Sequence, residues 1–397
     1  MPAPRPIPRR LVSGPMNASP KNLSAPERDL RLDFFRGAAL VFIYIDHIPG
    51  NKLAYATLGS WNFCDAAEMF VFISGYTAAL VFGGMLLRAG PMLTALRILA
   101  RCWVIYVAHI FMFVAFMAQV SLSAERLANP IFLEEMRVDE FLGKPHLAVL
   151  NVLTLTFQPA FMDILPLYIV LMLGLIPALP LIARWPWAAL GLSLALYLAT
   201  HQFALNLGAY PDGTWFFSPM GWQLLFVIGA CMGFPRERPF LPWLGQRWLP
   251  WLCAAILVLS ASGKLFLWLQ YTYNLDWPRL TWVLLWGGGG SKTALGIYRV
   301  VNFLALAYLA AYLVKPGAAW LRSTTAKPVV WMGQNSLYIF CLGIFLSYLG
   351  HLILVEVSSR PIAHIAVSIV GIGLMAMVAA AMTWVRRAER YRRGSGA

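Results

Sequence analysis

The most regular feature of the sequence is a series of apolar stretches separated by short polar segments. About 17–25 apolar residues in a helix cross a bilayer, and a helix satisfies all of its backbone polar groups internally. The stretches that reach this length lie at residues 34–50, 66–87, 92–120, 162–183, 185–203, 216–234, 249–270, 294–314, 329–355 and 361–385. The pattern therefore predicts an all-α polytopic membrane protein with about ten transmembrane helices.

Composition agrees with this class of protein. Of 397 residues, 60% are hydrophobic and 12% are charged, whereas soluble domains carry roughly 25% charged residues. A soluble core of this length cannot bury so much apolar side chain. The five cysteines are scattered and show neither a disulfide framework nor metal-ligand spacing. We therefore expect one membrane-embedded bundle without a metal site.

The net charge of +14 fits the same topology. With a cytoplasmic N-terminus and ten crossings, 22 of the 31 lysines and arginines fall in cytoplasmic segments, as the positive-inside rule requires. Because they lie between apolar stretches and not on one soluble face, we expect no nucleic-acid partner. Both termini are predicted to be cytoplasmic, with a disordered tail at 1–30, a single transmembrane domain at 31–387 and a basic tail at 388–397.

Two of the predicted outer loops are long. Residues 121–160 mix acidic and apolar side chains, which predicts a short amphipathic helix on the outer surface. Within them, residues 147–157 are apolar but too short to span, and are predicted to be re-entrant or interfacial. Residues 271–293 combine aromatic residues with four glycines. Their rings either stack on a glycan or form the aromatic belt at the membrane interface.

Ionisable residues inside a bilayer are costly and are therefore the first candidates for function. Arg36 and His47 are 11 residues apart, so on a helix they project from nearly the same face about 16 Å apart. A guanidinium binds phosphates, and a neutral imidazole accepts a proton from a hydroxyl. The separation is comparable to the pantetheine arm of coenzyme A, which favours a donor bound from the cytoplasm. The alternative is that Arg36 reaches the headgroups and His47 is a core histidine.

Two further acids begin the second apolar stretch. Asp65 and Glu68 are three residues apart, so their carboxylates share one helix face. We expect one of them to orient the imidazole of His47, as the acid of a catalytic triad does. The alternative is that they pair with an arginine or cap the helix. Asp46 is less well placed because adjacent helical residues do not face each other, and Gly75 predicts the close approach of another helix.

Several motifs resemble known families. The spacing of Arg36 and His47 and the segment Glu68-Met-Phe-Val-Phe-Ile-Ser-Gly-Tyr76 resemble signatures of the membrane-bound acyltransferase-3 superfamily. Residues 28–37, Asp46-His47 and residues 63–68 resemble more closely the OpgC family, inner-membrane succinyltransferases of osmoregulated periplasmic glucans. The resemblance implies transfer of a succinyl group from succinyl-CoA to glucose hydroxyls of the glucan.

The resemblance also implies roles for the candidate residues. Arg36, with Arg31 or Arg97, would hold the phosphates of the donor, and His47 would deprotonate the acceptor hydroxyl. The expected partners are acyl-CoA, a periplasmic glucan and the lipid bilayer of the bacterial inner membrane, with no permanently bound cofactor and a homodimer left open. Acyl transfer to another surface glycan is one alternative. A secondary transporter is another, although the chain shows no repeated halves with matching broken helices.

Overall fold

The computed structural model of this chain describes residues 28–127, 129, 131–236, 240–274 and 291–394. The predicted N-terminal tail up to residue 27 and most of the predicted aromatic loop, at 275–290, lie outside these residues. Within them the fold is helical, with one isolated β-bridge between Gly208 and Thr214 and no strand.

The α-helices follow one another through short connections. They are α1 (Leu30–Asp46), α2 (Leu58–Trp61), α3 (Ala66–Leu127), α4 (Ile131–Glu135), α5 (Asp139–Gly143), α6 (Pro145–Leu153), α7 (Ile164–Arg184), α8 (Pro186–Phe203), α9 (Pro219–Gly233), α10 (Leu249–Tyr273), α11 (Ile297–Leu313), α12 (Lys327–Gln334), α13 (Ser336–Leu352) and α14 (Pro361–Gly394). Short 3₁₀ segments occupy Lys52–Ala56, Pro242–Gly245 and Ala319–Arg322, and a π-helical turn covers Ile353–Val357. Helix α14 therefore continues into the predicted basic tail.

Five of these helices are long and apolar enough to cross a membrane: α3, α7, α10, α13 with its π-helical turn, and α14. Helices α9 and α11 are apolar but shorter. Large apolar side chains such as Trp103, Phe111 and Trp251 are exposed, as expected for surfaces that face lipid. The chain is thus an all-helical membrane protein, while the ten crossings and the cytoplasmic termini stay predictions.

Helix α3 is 62 residues long but is broken in its middle. Gly90 has a φ of 79° and a ψ of 174°, and Pro91 follows it. A glycine adopts positive φ without steric cost, and a proline cannot bond to the preceding turn. The two halves correspond to the separate stretches predicted at 66–87 and 92–120. Each of the other predicted stretches also contains a helix.

The predicted surface helix within residues 121–160 is divided into three short helices, α4, α5 and α6. Gly143 ends α5, and Pro145 begins α6 at a position where its missing N–H costs no hydrogen bond. The sequence predicts one short helix in this segment, and the structure has three.

Glycines bring α9 into backbone contact with α3. A Cβ atom at Gly75 would overlap the carbonyl oxygen of Phe226, and one at Gly229 would overlap that of Phe72. A Cβ atom at Gly233 would likewise overlap the carbonyl oxygen of Tyr76. The close approach predicted at Gly75 is confirmed, and it fixes the helix that begins with the candidate carboxylates.

A second glycine contact fixes the helix that carries Arg36 and ends before His47. Gly37 of α1 lies against the carbonyl of Val329 in α12, and Gly333 of α12 lies against the carbonyl of Asp33 in α1. Because neither position has room for a Cβ atom, α1 and α12 cross with their backbones touching. Helix α1 is thereby held rigidly inside the bundle.

Candidate active site

His47 is positioned by the end of α1. It lies one residue beyond the helix, and its backbone N–H donates to the carbonyl of Ile43 at 3.0 Å. Its ring Nδ1 is 2.6 Å from the same carbonyl oxygen. A carbonyl oxygen only accepts, so Nδ1 carries the hydrogen and Nε2 keeps its lone pair.

No carboxylate among the described residues contacts the imidazole of His47, which favours its neutral form. Its ring packs edge-on against Phe161, with centroids 4.6 Å apart. Nε2 forms no hydrogen bond with any residue that the structure describes. A neutral imidazole with an unoccupied Nε2 can accept a proton from a bound hydroxyl.

Asp65 and Glu68 form a capping box at the start of α3. The Oδ1 atom of Asp65 accepts the backbone N–H of Ala67 at 2.8 Å. The Oε2 atom of Glu68 accepts the backbone N–H of Asp65 at 2.8 Å. This reciprocal arrangement satisfies two N–H groups that a helix start leaves without partners.

The remaining oxygens of the two carboxylates bind cations from the segment before α11 and from α11 itself. Arg299 donates through Nε to Glu68 at 2.6 Å and through Nη2 to Asp65 at 2.9 Å. The Nζ atom of Lys292 lies 2.8 Å from Asp65. Burial opposes ionisation of Asp65, but the charges of Lys292 and Arg299 outweigh it and hold its pKa well below the usual range. The four side chains form a charge network of two acids and two bases.

The structure places the backbone carbonyl of Ile43, and no carboxylate, at Nδ1 of His47. Neither Asp65 nor Glu68 contacts the imidazole in this structure, and their orienting role stays a prediction. The carbonyl of Ile43 lies one turn before His47, and its two lone pairs accept both the backbone N–H and the ring N–H of His47. Asp65 and Lys292 act on His47 only through their charges, and a catalytic role for either acid stays a prediction.

Asp46 forms no hydrogen bond or ion pair with the four residues of the charge network. Its side chain is exposed, and its Oδ1 atom accepts a 2.7 Å hydrogen bond from the hydroxyl of Thr57. Thr57 also donates to the carbonyl of Ala54. Asp46 therefore fastens the loop that follows α1, and its predicted catalytic role is not tested by this contact.

In the N-terminal half of α1, Arg36 points into the bundle. Its Nη2 atom donates to the hydroxyl of Thr77 at 2.6 Å and to the carbonyl of Ile73 at 3.3 Å, both on α3. Its Nε atom is buried without a hydrogen-bond partner among the described residues. Arg101 is close enough to act on Arg36 through its charge. Arg36 is thus an interior cation with spare hydrogen-bonding capacity.

The other two predicted donor-binding arginines have different surroundings. Arg31 is paired with Asp29 at 2.6 Å and donates to the carbonyl of Val314 at 3.0 Å. Arg97 is exposed. No hydrogen bond or ion pair of the described residues joins either of them to Arg36. The donor contacts of Arg31 and Arg97 therefore stay predictions.

A cavity of about 330 Å³ lies beside His47. Phe161 lines it and also touches the imidazole. Asp163 lines the same cavity and lies outside α7 by one residue. His47 thus lies across the ring of Phe161 from a cavity with both polar and apolar walls.

Three residues of this site were missed from the sequence: Asp163, Lys292 and Arg299. Arg299 carried a usable signal, since an arginine inside an apolar stretch is costly without a partner. Asp163 lies at the edge of an apolar stretch, where an acidic residue does not by itself indicate a functional site. Lys292 follows a run of glycines that indicated only a hinge. For these two, no pattern in the sequence predicts that they lie near His47.

An all-helical membrane bundle that encloses a neutral imidazole, a buried charge network and an adjoining cavity defines a class of integral membrane enzyme. The family described as OpgC protein matches residues 28–387, and the chain belongs to this family. Membership makes it an acyltransferase-type enzyme and favours this class over the transporter that the sequence left open. No curated protein matches the chain.

Proposed function

We propose that the protein is an inner-membrane O-acyltransferase that moves a succinyl group from cytoplasmic succinyl-CoA to a glucose hydroxyl of a periplasmic glucan. Family membership supports the reaction class. The observation that carries the assignment of the base is the imidazole of His47, held at Nδ1 by Ile43 and unoccupied at Nε2. The acyl group and the acceptor rest on the family resemblance.

The proposed step is a direct transfer. The acceptor hydroxyl loses its proton to Nε2 of His47 while its oxygen attacks the thioester carbonyl carbon. The carbon–sulfur bond then breaks, the new ester leaves with the succinyl group, and the CoA thiolate recovers the proton from the imidazolium. The reaction is balanced and needs no redox partner or metal. The fixed charges of Lys292 and Asp65 surround the imidazole during this change of charge.

Arg36 is the proposed contact for the donor phosphates. It lies inside the bundle in the N-terminal half of α1, 11 residues before His47, and its Nε atom lacks a partner among the described residues. The guanidinium of Arg36 can exchange its hydrogen bonds to the hydroxyl of Thr77 and the carbonyl of Ile73 for stronger charge-assisted hydrogen bonds to a phosphate. A donor that extends from Arg36 to His47 would carry its thioester across the membrane interior toward the acceptor.

The decisive experiment is the substitution His47→Ala. Loss of a general base lowers acyl transfer by about 10²–10⁴-fold, while insertion and thermal unfolding of the purified protein stay unchanged. Transfer is measured by mass spectrometry of glucans from cells and by CoA release from the purified protein. The matched control is His146→Ala, which removes an exposed histidine and leaves transfer intact.

Wild-type levels of modified glucan from the His47→Ala protein would contradict the assignment. The same mass spectra identify the acyl group and the acceptor. A succinyl group on another surface glycan, with unmodified periplasmic glucan, would support the alternative acceptor named from the sequence.

A further inference from the structure

The cavity beside His47 is built from separate segments that meet at one end of the bundle. Residues 158–161 and Asp163 contribute from the loop before α7, residues 209–216 contribute from the loop before α9, and Thr293 follows Lys292 of the charge network. The backbone of Thr293 is held by the N–H of Ser218, which donates to its carbonyl at 2.9 Å. The cavity walls are therefore tied to the elements that position the charge network.

Three polar groups on the cavity wall have unused hydrogen-bonding capacity. The carboxylate of Asp163 forms no side-chain hydrogen bond or ion pair with a described residue. Trp215 is 3% exposed, yet its indole N–H has no hydrogen-bond partner within the described ranges. Arg137 is exposed and forms no ion pair with the residues around it that the structure describes. A buried donor without a partner is costly, so the indole N–H of Trp215 indicates a ligand that completes it, and Asp163 and Arg137 line the same cavity.

The rest of the wall is aromatic and apolar. The rings of Phe161, Tyr210 and Phe216 line it, together with Pro159 and Ala160. Ligand sites commonly combine such walls with a few placed polar groups, in volumes of about 300–1,000 Å³. A sugar ring has the matching chemistry, with apolar C–H faces and hydroxyls around its edge. At about 330 Å³, the cavity is at the small end of this range and fits a short piece of a glycan.

We propose that this cavity binds a sugar unit of the acceptor, with Asp163 accepting and Trp215 donating hydrogen bonds to its hydroxyls. The inference rests on the proposed function and names the place where its acceptor binds. The ring of Phe161 separates a sugar in this position from the imidazole of His47. Asp163 and Trp215 act as specificity-determining residues for the acceptor and take no part in the proton transfer.

The test compares kinetic constants of purified protein with an unsubstituted glucan oligosaccharide as acceptor and succinyl-CoA as donor. Asp163→Asn removes the charge with little change of shape, and Trp215→Phe removes the N–H but keeps a ring. Each is expected to raise the acceptor KM by about 10-fold, the effect of one lost hydrogen bond to a buried group. The donor KM and kcat stay within about twofold. The matched control, Asp139→Asn, changes an exposed acid in the same outer segment and leaves all constants unchanged.

A second measurement separates this inference from the proposed function. Binding of the oligosaccharide is measured by calorimetry without any donor, so it does not depend on turnover. Binding that weakens in Asp163→Asn supports the cavity even if no succinyl transfer is found. An unchanged acceptor KM and unchanged binding in both variants would overturn it. So would a rise in the donor KM alone, which would make the cavity part of the donor site, or a dependence only on the anionic lipid content of vesicles, which would make it a headgroup site.

Discussion

Glu68 illustrates at the residue scale how this bundle accommodates charge. Its side chain is 0% exposed, where an isolated carboxylate is strongly disfavoured. One oxygen accepts the Nε–H of Arg299 and the other accepts the backbone N–H of Asp65. Both oxygens are thus satisfied, and the charge is matched. Such a pair contributes mainly by avoiding the cost of an uncompensated partner.

This reasoning predicts the effect of Arg299→Met. Removal of the guanidinium leaves Glu68 buried without its counter-charge, so the free energy of unfolding falls by about 3–5 kcal/mol. The measurement is the thermal unfolding midpoint of the purified protein in detergent. The matched control is Lys292→Met, which removes the other cation of the network. Because the side chain of Lys292 is 34% exposed, we expect a loss of only about 0–1 kcal/mol.

A double variant sharpens this prediction. Adding Glu68→Gln to Arg299→Met removes the orphaned charge and recovers part of the stability. Equal losses for Arg299→Met and Lys292→Met, with no recovery in the double variant, would show that the ion pair is not what holds these helices together.

Individual site residues were predictable where a charged or polar residue stands inside an apolar stretch of the sequence. Arg36 and His47 stood out because polar groups in an apolar helix require a reason, and the structure turns Arg36 toward α3. The partner at Nδ1 of His47 was not predictable, since the choice between a carboxylate and the carbonyl of Ile43 is made by local geometry. Arg299 lies 231 residues after Glu68 in the sequence, so only the tertiary fold brings the two side chains together.

Helix pairs are held at close distance by small residues at the element scale. Without a hydrophobic driving force between helices in lipid, packing contacts and small residues dominate association. The contact of α3 with α9 shows this through Gly75, Gly229 and Gly233, each of which faces a backbone carbonyl of the other helix. Because backbone atoms cannot move aside as a flexible side chain does, the tolerance for a larger residue is low.

The substitution Gly229→Ala tests this contact. Its Cβ atom would overlap the carbonyl oxygen of Phe72, so we expect a loss of about 1–3 kcal/mol through overpacking. The matched control is Gly174→Ala in α7, where nothing lies within 4 Å of the added atom. There the helix gains roughly 0.5–1 kcal/mol from the lower backbone entropy of alanine. Thermal unfolding in detergent of the two variants should therefore shift in opposite directions; a parallel shift would contradict the packing argument.

The sequence was most informative about elements of the membrane domain. Hydrophobic length alone located helices in each predicted stretch, including the two halves of α3 that Gly90 separates. It was less informative where side chains are partly polar, as in the segment that forms α4, α5 and α6. It also did not separate α12 from α13, which meet at Asn335. Hydrophobicity in the sequence indicates which segments are buried, whereas the residues at which helices end depend on local backbone hydrogen bonds.

Orientation is the open property at the scale of the whole molecule. The distribution of lysine and arginine predicts cytoplasmic termini and places the cavity beside His47 on the periplasmic side. This geometry matters because the donor and the acceptor are expected on opposite sides of the membrane. His47, just after α1, and Arg36, in its N-terminal half, would then face the acceptor and donor sides respectively.

Cysteine labelling in spheroplasts tests this orientation. Lys144 lies in a predicted outer loop and Arg247 in a predicted inner loop, and both are exposed. A membrane-impermeant maleimide should label Lys144→Cys in intact spheroplasts and Arg247→Cys only after permeabilisation. The unsubstituted protein is the control, since four of its five cysteines are buried and the fifth is half-buried. Reversed labelling would place the cavity on the cytoplasmic side.

Under the proposed function the donor is an energy-rich thioester, and Phe161 then has one more consequence. Its backbone has a φ of 68°, an uncommon conformation for an aromatic residue, and its ring covers the imidazole from the side of the cavity. Water that enters an empty cavity meets this ring before it meets the base. If only an incoming sugar displaces the ring, activated acyl groups are spared from hydrolysis whenever the periplasm offers nothing to modify.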